Sequence, residues 1–358
     1  MTLDIAFFGS SLVSAYWNGA ATYYRGVLQA LAANGHRVAF YEPDAFDRQK
    51  HRDIPDPDWA RIVVYPATED GVARALDAAK NADLLVKASG VGVFDRLLEE
   101  RIPQLRRPGA MAAFWDVDAP ATLDRIAADP DDPSRRLIPQ YDLVLTYGGG
   151  PPVVAGYRRF GARQCVPIYN GLDPATHYPV MPEPCFACDL GLVANRLPDR
   201  ERRIEEFFIG VAAELRDRRF LLAGSGWGDK ALPASIGYLG HLYTRDHNAF
   251  NCSALAVLNV SRDSMASYGY SPATRVFEAA GAGACLITDA WDGIAEFFEP
   301  GRELLVAATG PEVAEQLARL KPDEARRIGA AARARALAEH TYARRVALLE
   351  DVLAGRAP

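Results

Sequence analysis

Residues 271–289, SPATRVFEAAGAGACLITD, combine a helix start, a small-residue helix and an apolar strand, and this order decides the fold. Ser271 before Pro272 is typical of an N-cap followed by proline at the first helical position, so we predict that the helix begins there. The run LAVLNVS at 255–261 and the run ACLITD at 284–289 predict strands on either side. A strand, a helix and a second strand form the repeating unit of a parallel sheet.

The same alternation extends over almost the whole chain. Continuous apolar runs separated by helical patterns are typical of parallel strands covered on both faces. Further strands are predicted at 3–9, 36–43, 61–67, 82–89, 110–117, 141–147, 163–169, 189–195, 218–224, 235–240 and 303–307. The series resets once, after residue 169, where a proline-rich segment without helical period follows.

We therefore predict an α/β fold of two doubly wound, Rossmann-like domains that face each other across a cleft. The length of 358 residues fits two domains of about 150 residues each. The expected boundaries are 1–170 for the N-terminal domain, 171–188 for the connection and 189–340 for the C-terminal domain. Residues 341–358 are expected to form a C-terminal helix that could pack back on the N-terminal domain.

Composition narrows the class of partner. The formal net charge is -6, and 40 basic residues are spread among 46 acidic ones without a basic block, so no nucleic-acid partner is expected. No run approaches about 20 apolar residues, and the N-terminus lacks a signal-peptide pattern, so we expect a cytoplasmic protein without an integral membrane segment. Cys185 and Cys188 form a C-x-x-C pair, but no second pair accompanies it, and a redox or zinc-binding role is not favoured.

The helix start in residues 271–289 is a candidate anion site. Free N–H groups at a helix N-terminus bind phosphate, and Arg275 lies within a turn of this start, so a diphosphate fits the chemistry. Glu278 lies one turn after Thr274, where a carboxylate could accept hydrogen bonds from vicinal hydroxyls. An unpaired carboxylate among small apolar residues is costly to bury, which favours a functional role for Glu278.

A second candidate is FWDVDAP at 114–120, at the end of a predicted strand. If the chain stays extended, Asp116 and Asp118 point to the same face, which suits either a metal ion or an acceptor hydroxyl. The structural alternative is that Asp118 only caps the following helix. Trp17 and Trp115 could stack on a sugar, although tryptophans in such places usually belong to the core.

Several motifs carry a resemblance to a known family. They are WNGAATYYRGVLQALAANGHRV at 17–38, YNGLDPATHYP at 169–179, ANRLPDRERRIEEF at 194–207, LNVSRDSM at 258–265, RVFEAAGAGACLITD at 275–289 and HTYARR at 340–345. In these motifs the chain resembles the GT-B glycosyltransferases, and in particular the CgeB-like proteins near glycosyltransferase families 1 and 4. The resemblance covers nearly the whole chain.

The resemblance implies a nucleoside-diphosphate sugar (UDP, dTDP or GDP) as the donor substrate, bound mainly by the C-terminal domain. Glu278 matches the glutamate that holds the ribose, and the turn at Gly240 and His241 matches the position of the base. Arg196, with Arg202 or Arg203 nearby, matches the basic pair on the diphosphate. The implied donor-binding set is Asn18, Gly19, Arg196, Arg203, Gly240, His241, Asn259, Tyr270, Thr274, Arg275 and Glu278. Tyr270 departs from the pattern, because many relatives carry a second glutamate there, so the stereochemistry of transfer stays open.

These observations predict a metal-independent glycosyltransferase of the hexosyltransferase type, without a cofactor and with an unidentified acceptor. Metal-dependent sugar transferases with a D-x-D motif have one compact domain, whereas two α/β units are predicted here. Asp118, with Asp116 second, is the predicted catalytic carboxylate that orients or deprotonates the acceptor hydroxyl. The alternatives are a nucleotide-sugar epimerase or hydrolase of the same fold, and a non-catalytic two-lobed protein that binds a nucleotide or sugar.

Overall fold

The computed structural model describes residues 2–16 and 18–356, so Trp17 and its predicted stacking role lie outside the described residues. The chain forms two compact units. One unit runs to Asn170 and includes the chain again from Tyr342, and the other is Gly171–Thr341.

The first unit is built on a seven-stranded sheet in which all neighbouring strands are parallel. In chain order the strands are β1 (Asp4–Phe8), β2 (Arg37–Asp44), β3 (Ala60–Pro66), β4 (Leu84–Ala88), β5 (Met111–Asp116), β6 (Leu143–Thr146) and β7 (Cys165–Pro167). The sheet order is β3-β2-β1-β4-β5-β6-β7. Its helices are α1 (Ala21–Ala33), α2 (Glu69–Ala79), α3 (Asp95–Arg101), α4 (Ala119–Ala128), α5 (Ser134–Leu137) and α6 (Gly150–Arg159).

The second unit has a six-stranded parallel sheet. Its strands are β8 (Cys188–Val193), β9 (Phe220–Ala223), β10 (Ile236–Tyr238), β11 (Ala254–Asn259), β12 (Leu286–Asp289) and β13 (Leu305–Ala307), in the order β10-β9-β8-β11-β12-β13. Its helices are α7 (Pro198–Ile204), α8 (Val211–Glu214), α9 (Thr244–Ser253), α10 (Asp263–Tyr268), α11 (Thr274–Ala282), α12 (Gly310–Arg319) and α13 (Pro322–Glu339). A π-helical stretch, Glu205–Gly210, joins α7 to α8.

The prediction of two doubly wound α/β domains is confirmed by these sheets. Each predicted apolar run contains a strand, because residues that are buried on both faces of a parallel sheet are mostly apolar. Strand β4, for example, is buried at every position, and its one charged residue, Lys87, is paired with Asp95 and Glu99. Trp115 in β5 is 1% exposed, and its indole N–H donates to the Tyr23 hydroxyl at 3.0 Å, so it is part of the core.

The predicted start of the helix that precedes β12 was wrong. Helix α11 begins at Thr274 with Ala273 as its N-cap, not at Ser271 and Pro272. The Ser271 hydroxyl donates to the Gly269 carbonyl at 2.9 Å, so it is turned away from the helix and caps nothing. The preceding Tyr270 has a left-handed backbone with φ +47°, and this kink delays the helix.

Two helices of the second unit approach each other unusually closely. A Cβ atom at Gly329 of α13 would lie 2.0 Å from the carbonyl oxygen of Gly283, the residue that ends α11. Only glycine fits where one backbone lies this near another. The carboxyl end of α11 is thereby fixed against α13.

The last helix of the chain, α14 (Tyr342–Leu353), belongs to the first unit. Its buried residues Val346, Leu349 and Val352 join the core cluster that includes Leu28 of α1. Within residues 2–16 and 18–356, no helix has the length and hydropathy needed to cross a membrane.

Gly329→Ala tests the close approach of α13 to α11. Alanine normally stabilises a helix interior by about 1 kcal/mol relative to glycine, but here the methyl group would overlap backbone atoms. We expect the free energy of unfolding in urea to fall by about 1–3 kcal/mol. The exposed Ala330→Ser on the same helix is the control and should change it by less than about 0.5 kcal/mol. A stabilised Gly329→Ala protein would contradict this packing.

Candidate functional site

A buried carboxylate joins the ends of neighbouring strands in the second unit. Asp289 ends β12 and is 0% exposed, and its Oδ2 atom accepts hydrogen bonds from Arg203 Nη2 at 2.6 Å and from the Ser261 backbone N–H at 3.0 Å. The Ser261 hydroxyl donates to Oδ1 at 3.1 Å. Asn259, at the end of β11, donates to Thr288 Oγ1 at 3.0 Å. Asp289 therefore fixes the loop after β11 and draws Arg203 inward beside Asn259.

Arg200 is a partly buried cation near this carboxylate. Its Nη2 atom donates to the Asn195 carbonyl at 2.8 Å, and its Nε atom has no hydrogen-bond partner among the described residues. Burial, together with the positive charges of Arg262 and Arg275, lowers the pKa of Arg200 to about 10, against the opposing effect of nearby aspartates. Arg200 still carries its charge at neutral pH, so an anion between Arg200 and Arg275 would relieve their repulsion.

Glu278, on α11, is the centre of a second cluster. It is 6% exposed, and its Oε2 atom lies 3.2 Å from Arg275 Nη1 and 3.7 Å from His247 Nδ1. Its Oε1 atom lies 3.8 Å from His177 Nε2. Burial alone raises the pKa of Glu278, but Arg275, His177 and His247 outweigh burial and bring the pKa down to about 2. The side chain is therefore a carboxylate at neutral pH, held beside a helix start.

The structure places Arg196 in an ion-pair network of its own. Its Nη2 atom lies 2.8 Å from Glu201 Oε1, and its Nη1 atom lies 3.0 Å from Asp229 Oδ1. Lys230 also pairs with Glu201, at 2.9 Å. Two carboxylates thus compete for the Arg196 guanidinium, whereas Arg200 keeps an unpaired Nε atom.

The turn at Gly240 presents backbone groups. Gly240 has φ +72°, and an ideal Cβ atom there would contact nothing within 4 Å. Its carbonyl accepts a hydrogen bond from the Gly224 N–H at 2.7 Å, which joins the turn to the glycine-rich loop after β9. His241 is exposed, and its ring packs edge-on to that of Tyr243 with 4.7 Å between centroids.

Tyr270 and Thr274 lie just before and at the start of α11. The Tyr270 backbone N–H donates to the Asp292 carbonyl at 2.6 Å, and a Cβ atom at Gly293 would overlap its ring. A bulky residue in the left-handed region costs about 1–3 kcal/mol and persists only where its surroundings impose it. The loop therefore holds the Tyr270 ring in one place, four residues ahead of Thr274, the first residue of α11.

In the first unit the two predicted catalytic aspartates differ in environment. Asp116 ends β5 and is 0% exposed. Its Oδ1 atom accepts hydrogen bonds from the Ser89 hydroxyl at 2.7 Å and from the Asp118 backbone N–H at 2.9 Å. Its Oδ2 atom accepts a hydrogen bond from the Tyr157 hydroxyl. Asp118 is partly exposed and is the N-cap residue of α4. The strand ends at Asp116 in a turn, so the extended geometry that would align both carboxylates is not formed. Asp116 instead fixes the backbone at Asp118.

Asn18 and Gly19 follow a tight loop after β1. The Asn18 amide nitrogen donates to the carbonyls of Ser11 at 2.9 Å and Ser14 at 3.0 Å, and its oxygen accepts from the Ser10 hydroxyl at 2.9 Å. The Asn18 side chain is therefore used to shape its own loop. Gly19 is exposed, and a Cβ atom there would contact nothing within 4 Å, so its backbone is accessible.

Sequence reasoning missed Arg200, His177, His247 and Asp289. Arg200 is one of several arginines in a charged run, and only its burial distinguishes it. His177 reaches α11 because Gly281 allows close approach: a Cβ atom at Gly281 would lie 2.8 Å from the His177 carbonyl oxygen. No local sequence pattern predicts this contact between Gly281 and His177.

Neither a metal site nor a paired cysteine site is present among the described residues. Throughout residues 2–16 and 18–356, no group of three or more His, Cys, Asp or Glu side chains is arranged to hold a metal ion. Cys188 lies in β8, where burial raises the pKa of its thiol to about 12. Cys185 is a free, exposed thiol.

The sequence and the fold were matched to known proteins of the glycosyltransferase class. Residues 200–351 match the protein family described as glycosyl transferase-like. Among curated proteins, none matches the sequence significantly.

Solved structures match over nearly the whole chain. Sucrose-phosphate synthase (tll1590) from Thermosynechococcus elongatus is similar with a TM-score of 0.72 and 15% identity, over 98% of each chain. Anabaena Alr3699/HepE, solved in complex with UDP-glucose, is similar with a TM-score of 0.68 and 15% identity, over 99% of this chain and 100% of that one. The lipopolysaccharide outer core galactosyltransferase WaaB gives a TM-score of 0.61 and 13% identity, over 99% of each chain.

At these identities the structural likeness establishes the fold. The chain has the two-domain α/β fold of the GT-B glycosyltransferases, and the glycosyl transferase-like match falls mostly on its second unit. That unit also holds the clusters around Arg200 and Glu278.

The burial of His247 predicts a pH dependence of stability. Burial first, and then Arg275 and His177, lower the pKa of His247 to about 4 despite the attraction of Glu278. The unfolded chain binds a proton below about pH 6.5 while the folded chain does not, so the free energy of unfolding should fall as the pH drops from 6.5 to 4. Stabilisation through Glu278, whose pKa is lowered, is lost only at more acidic pH.

Urea unfolding at pH 7.5 and pH 5 checks this prediction. His247→Phe removes the titrating group, and the loss of stability between the two pH values should shrink by about 2 kcal/mol. His241→Phe, at an exposed position, should keep the wild-type difference. An unchanged difference in His247→Phe would show that His247 is protonated in the folded protein.

Proposed function

We propose that the protein is a glycosyltransferase that transfers a sugar from a nucleoside-diphosphate donor to a hydroxyl acceptor. The observation that carries the proposal is the presence of two clusters in the second unit of a GT-B fold: Arg200 near Asp289, and Arg275 with the ionised Glu278 on α11. Cations and helix N–H groups suit a diphosphate, and a fixed carboxylate suits vicinal hydroxyls. The similar Alr3699/HepE structure was solved with UDP-glucose, which supports this class of donor.

The donor residues then have distinct tasks. Arg200, Arg275 and the N-terminus of α11 bind the diphosphate, with Arg203 held nearby by Asp289. Glu278 accepts hydrogen bonds from the ribose. Backbone groups near Gly240 and His241 contact the base, and Tyr270, Thr274 and Asn259 line the sugar side. Asn18 shapes the loop that presents the Gly19 backbone, and Arg196 supplies more distant positive charge.

The reaction breaks the bond between the sugar C1 atom and the diphosphate oxygen and forms a bond from C1 to the acceptor oxygen. The diphosphate leaves as an anion, and the arginines stabilise its growing charge. Asp118 accepts the acceptor proton or orients the hydroxyl that carries it. Asp116 is a positioning residue, because its carboxylate binds the Asp118 N–H at 2.9 Å.

Metal independence, a hexosyl donor and CgeB-like identity are part of this proposal. A leaving diphosphate held by a helix N-terminus and arginines receives the charge stabilisation that a metal supplies elsewhere. An epimerase or hydrolase of the same fold would turn over the donor without an acceptor, and a binding protein would not turn it over at all.

Thermal unfolding with nucleotides tests the proposal. The protein is melted with UDP, dTDP, GDP, CMP and ADP, each in EDTA and again with Mn²⁺. A ligand at 100 times its Kd stabilises the fold by about 2.7 kcal/mol, so one diphosphate should raise the Tm by several degrees, equally in EDTA. A rise that needs Mn²⁺ would overturn metal independence, and no rise with any nucleotide would overturn the donor site.

Arg200→Met should weaken nucleotide binding. The variant removes a partly buried charge that no other described side chain neutralises by a hydrogen-bonded ion pair, and a lost charged hydrogen bond costs about 1.5–3 kcal/mol, or about 10- to 150-fold in Kd. Calorimetric titration with the stabilising diphosphate measures the change. Arg202→Met is the matched control, because the Arg202 side chain is 78% exposed, and its Kd should be unchanged. Equal affinities for both variants would remove Arg200 from the site.

Asp118→Asn should abolish transfer while leaving nucleotide affinity intact. Loss of a general base typically lowers the rate by about 10²- to 10⁴-fold. Release of the nucleoside diphosphate from the sugar donor, measured with a panel of hydroxyl acceptors, reports turnover. Unchanged turnover would rule out Asp118 as the base.

Asp116→Asn should instead lower the melting temperature, since its amide nitrogen would face hydrogen-bond donors.

A further inference from the structure

Phe46, in the loop after β2, is an aromatic residue that the first unit holds in solvent. It is 57% exposed, the largest fraction for any Phe, Tyr or Trp among the described residues. Its backbone has φ +56°, and the next residue, Asp47, has φ +55°. Non-glycine residues adopt this left-handed conformation only where their surroundings impose it, and such positions cluster at ligand-binding sites. An exposed apolar ring on this loop gives the fold little stability, which favours a role in binding.

The Phe46 ring has a fixed position despite its exposure. A Cβ atom at Gly92, in the loop after β4, would lie 2.6 Å from the ring atom Cε2, so the ring packs directly on the backbone there. The guanidinium carbon of Arg48 lies 5.0 Å from the ring centroid, a cation–π contact. Arg48 is itself anchored, because its Nη1 atom donates to the carbonyls of Ser10 at 3.2 Å and Val91 at 3.3 Å. The ring is therefore preorganised, and part of its surface is left for a partner.

The loop after β4, which supports the ring, is held by Asp95. The Asp95 carboxylate accepts hydrogen bonds from the Val91 backbone N–H at 3.1 Å and from the Gly92 backbone N–H at 2.7 Å. The Lys87 ammonium, whose side chain is 0% exposed, donates to Asp95 at 2.7 Å. A buried ion pair thus fixes the backbone on which the ring packs.

The same loop contacts the carboxylate that positions Asp118. The Ser89 hydroxyl donates to Asp116 at 2.7 Å, and Asp116 accepts the Asp118 backbone N–H. Ser89 and Gly92 are three residues apart, so at most about 11 Å of chain separates them. The Phe46 ring therefore lies within reach of an acceptor whose hydroxyl is at Asp118.

Arg48 indicates which kind of molecule fits beside the ring. It is 8% exposed, and its Nε atom has no hydrogen-bond partner among the described residues. Burial lowers the pKa of Arg48, and the nearby carboxylates of Glu42 and Asp95 oppose this effect. Because these carboxylates already balance its charge, the free N–H suits a neutral oxygen better than an anion. An apolar face with hydroxyl groups at its rim is what a sugar ring presents.

We infer that Phe46 and Arg48 form a carbohydrate subsite for the acceptor, in which a sugar ring stacks on Phe46 and one of its hydroxyl groups accepts a hydrogen bond from Arg48. This inference rests on the proposed function, in which another hydroxyl of the acceptor lies at Asp118. A simple phenol or fatty alcohol has a single hydroxyl, which is used at Asp118, and leaves Arg48 without a partner. The acceptor is therefore a sugar or a glycoside.

Phe46→Gly tests the subsite, because glycine accepts the left-handed backbone and removes the ring. Release of the stabilising nucleoside diphosphate from its sugar donors is measured with the methyl glycosides of glucose, galactose, mannose and N-acetylglucosamine, and with 4-nitrophenol and octanol. A glycoside should be the acceptor. Phe46→Gly should raise its KM about tenfold and leave kcat within about threefold, whereas Phe46→Tyr should stay near the wild type. The Tm of Phe46→Gly should not fall, since the backbone strain is relieved.

Asp47→Gly is the matched control. It relieves the same strain and loosens the same loop but keeps the ring, so its KM should equal that of the wild type. An equal rise of KM in both glycine variants, an unchanged KM in Phe46→Gly, or turnover with 4-nitrophenol or octanol alone would overturn the subsite. A lower Tm in Phe46→Gly would show that the ring only supports the fold.

Arg48→Lys keeps the charge but loses the planar set of N–H donors. It should raise the KM for the glycoside about three- to tenfold, the effect of one lost hydrogen bond. An unchanged KM would remove Arg48 from the subsite.

Saturation-transfer NMR with the same glycosides, in the presence of the stabilising diphosphate, separates this inference from the proposed function. Glycoside binding that is lost in Phe46→Gly, without turnover of any donor, would support the subsite and overturn the transfer reaction. Nucleotide binding without binding of any glycoside would overturn the subsite while the donor site stands.

Discussion

A carboxylate buried at the carboxyl end of a parallel strand organises each unit of this protein. Asp116 and Asp289 are both 0% exposed, and each accepts hydrogen bonds from the loops that follow neighbouring strands. A buried charge without such donors would be very costly, so the loops have no freedom to adopt other conformations. In the second unit this constraint draws Arg203 inward, and in the first unit it sets the backbone that presents Asp118.

The strands could be predicted because strands buried on both faces are mostly apolar. Strands β4 and β12 are buried at every position, and their only charged residues, Lys87 and Asp289, lie near the strand ends. The start of α11 could not be predicted as well. Ser271 and Pro272 carry a standard helix-start pattern, but the contact of Tyr270 with Asp292 and Gly293, which are distant in sequence, fixes the chain in a kink. Tertiary contact overrode the local preference.

Only some residues of the candidate site could be predicted from the sequence, because the others are brought together by tertiary contacts. Glu278 stands out in the sequence because a carboxylate among small residues has to be explained. The arginines do not stand out, because the sequence does not distinguish one arginine of a charged run from another. In the fold, Arg196 is paired with Glu201 and Asp229, whereas Arg200 is partly buried and its Nε atom has no hydrogen-bond partner among the described residues. His177 and His247 come from the segment before β8 and from α9, and only their packing against α11 reveals that they share a carboxylate.

The discontinuity of the first unit has a consequence for synthesis on the ribosome. Gly26 of α1 lies directly against the ring of Tyr342, which begins α14, so part of the core of the first unit is supplied by a segment that is translated after the second unit. Domains generally fold as they emerge, N-terminal first. Here the second unit emerges complete while α1 still lacks α14. The unit that begins first is thus completed after the second one, and the nascent chain carries an uncovered apolar surface on α1 until α14 has emerged.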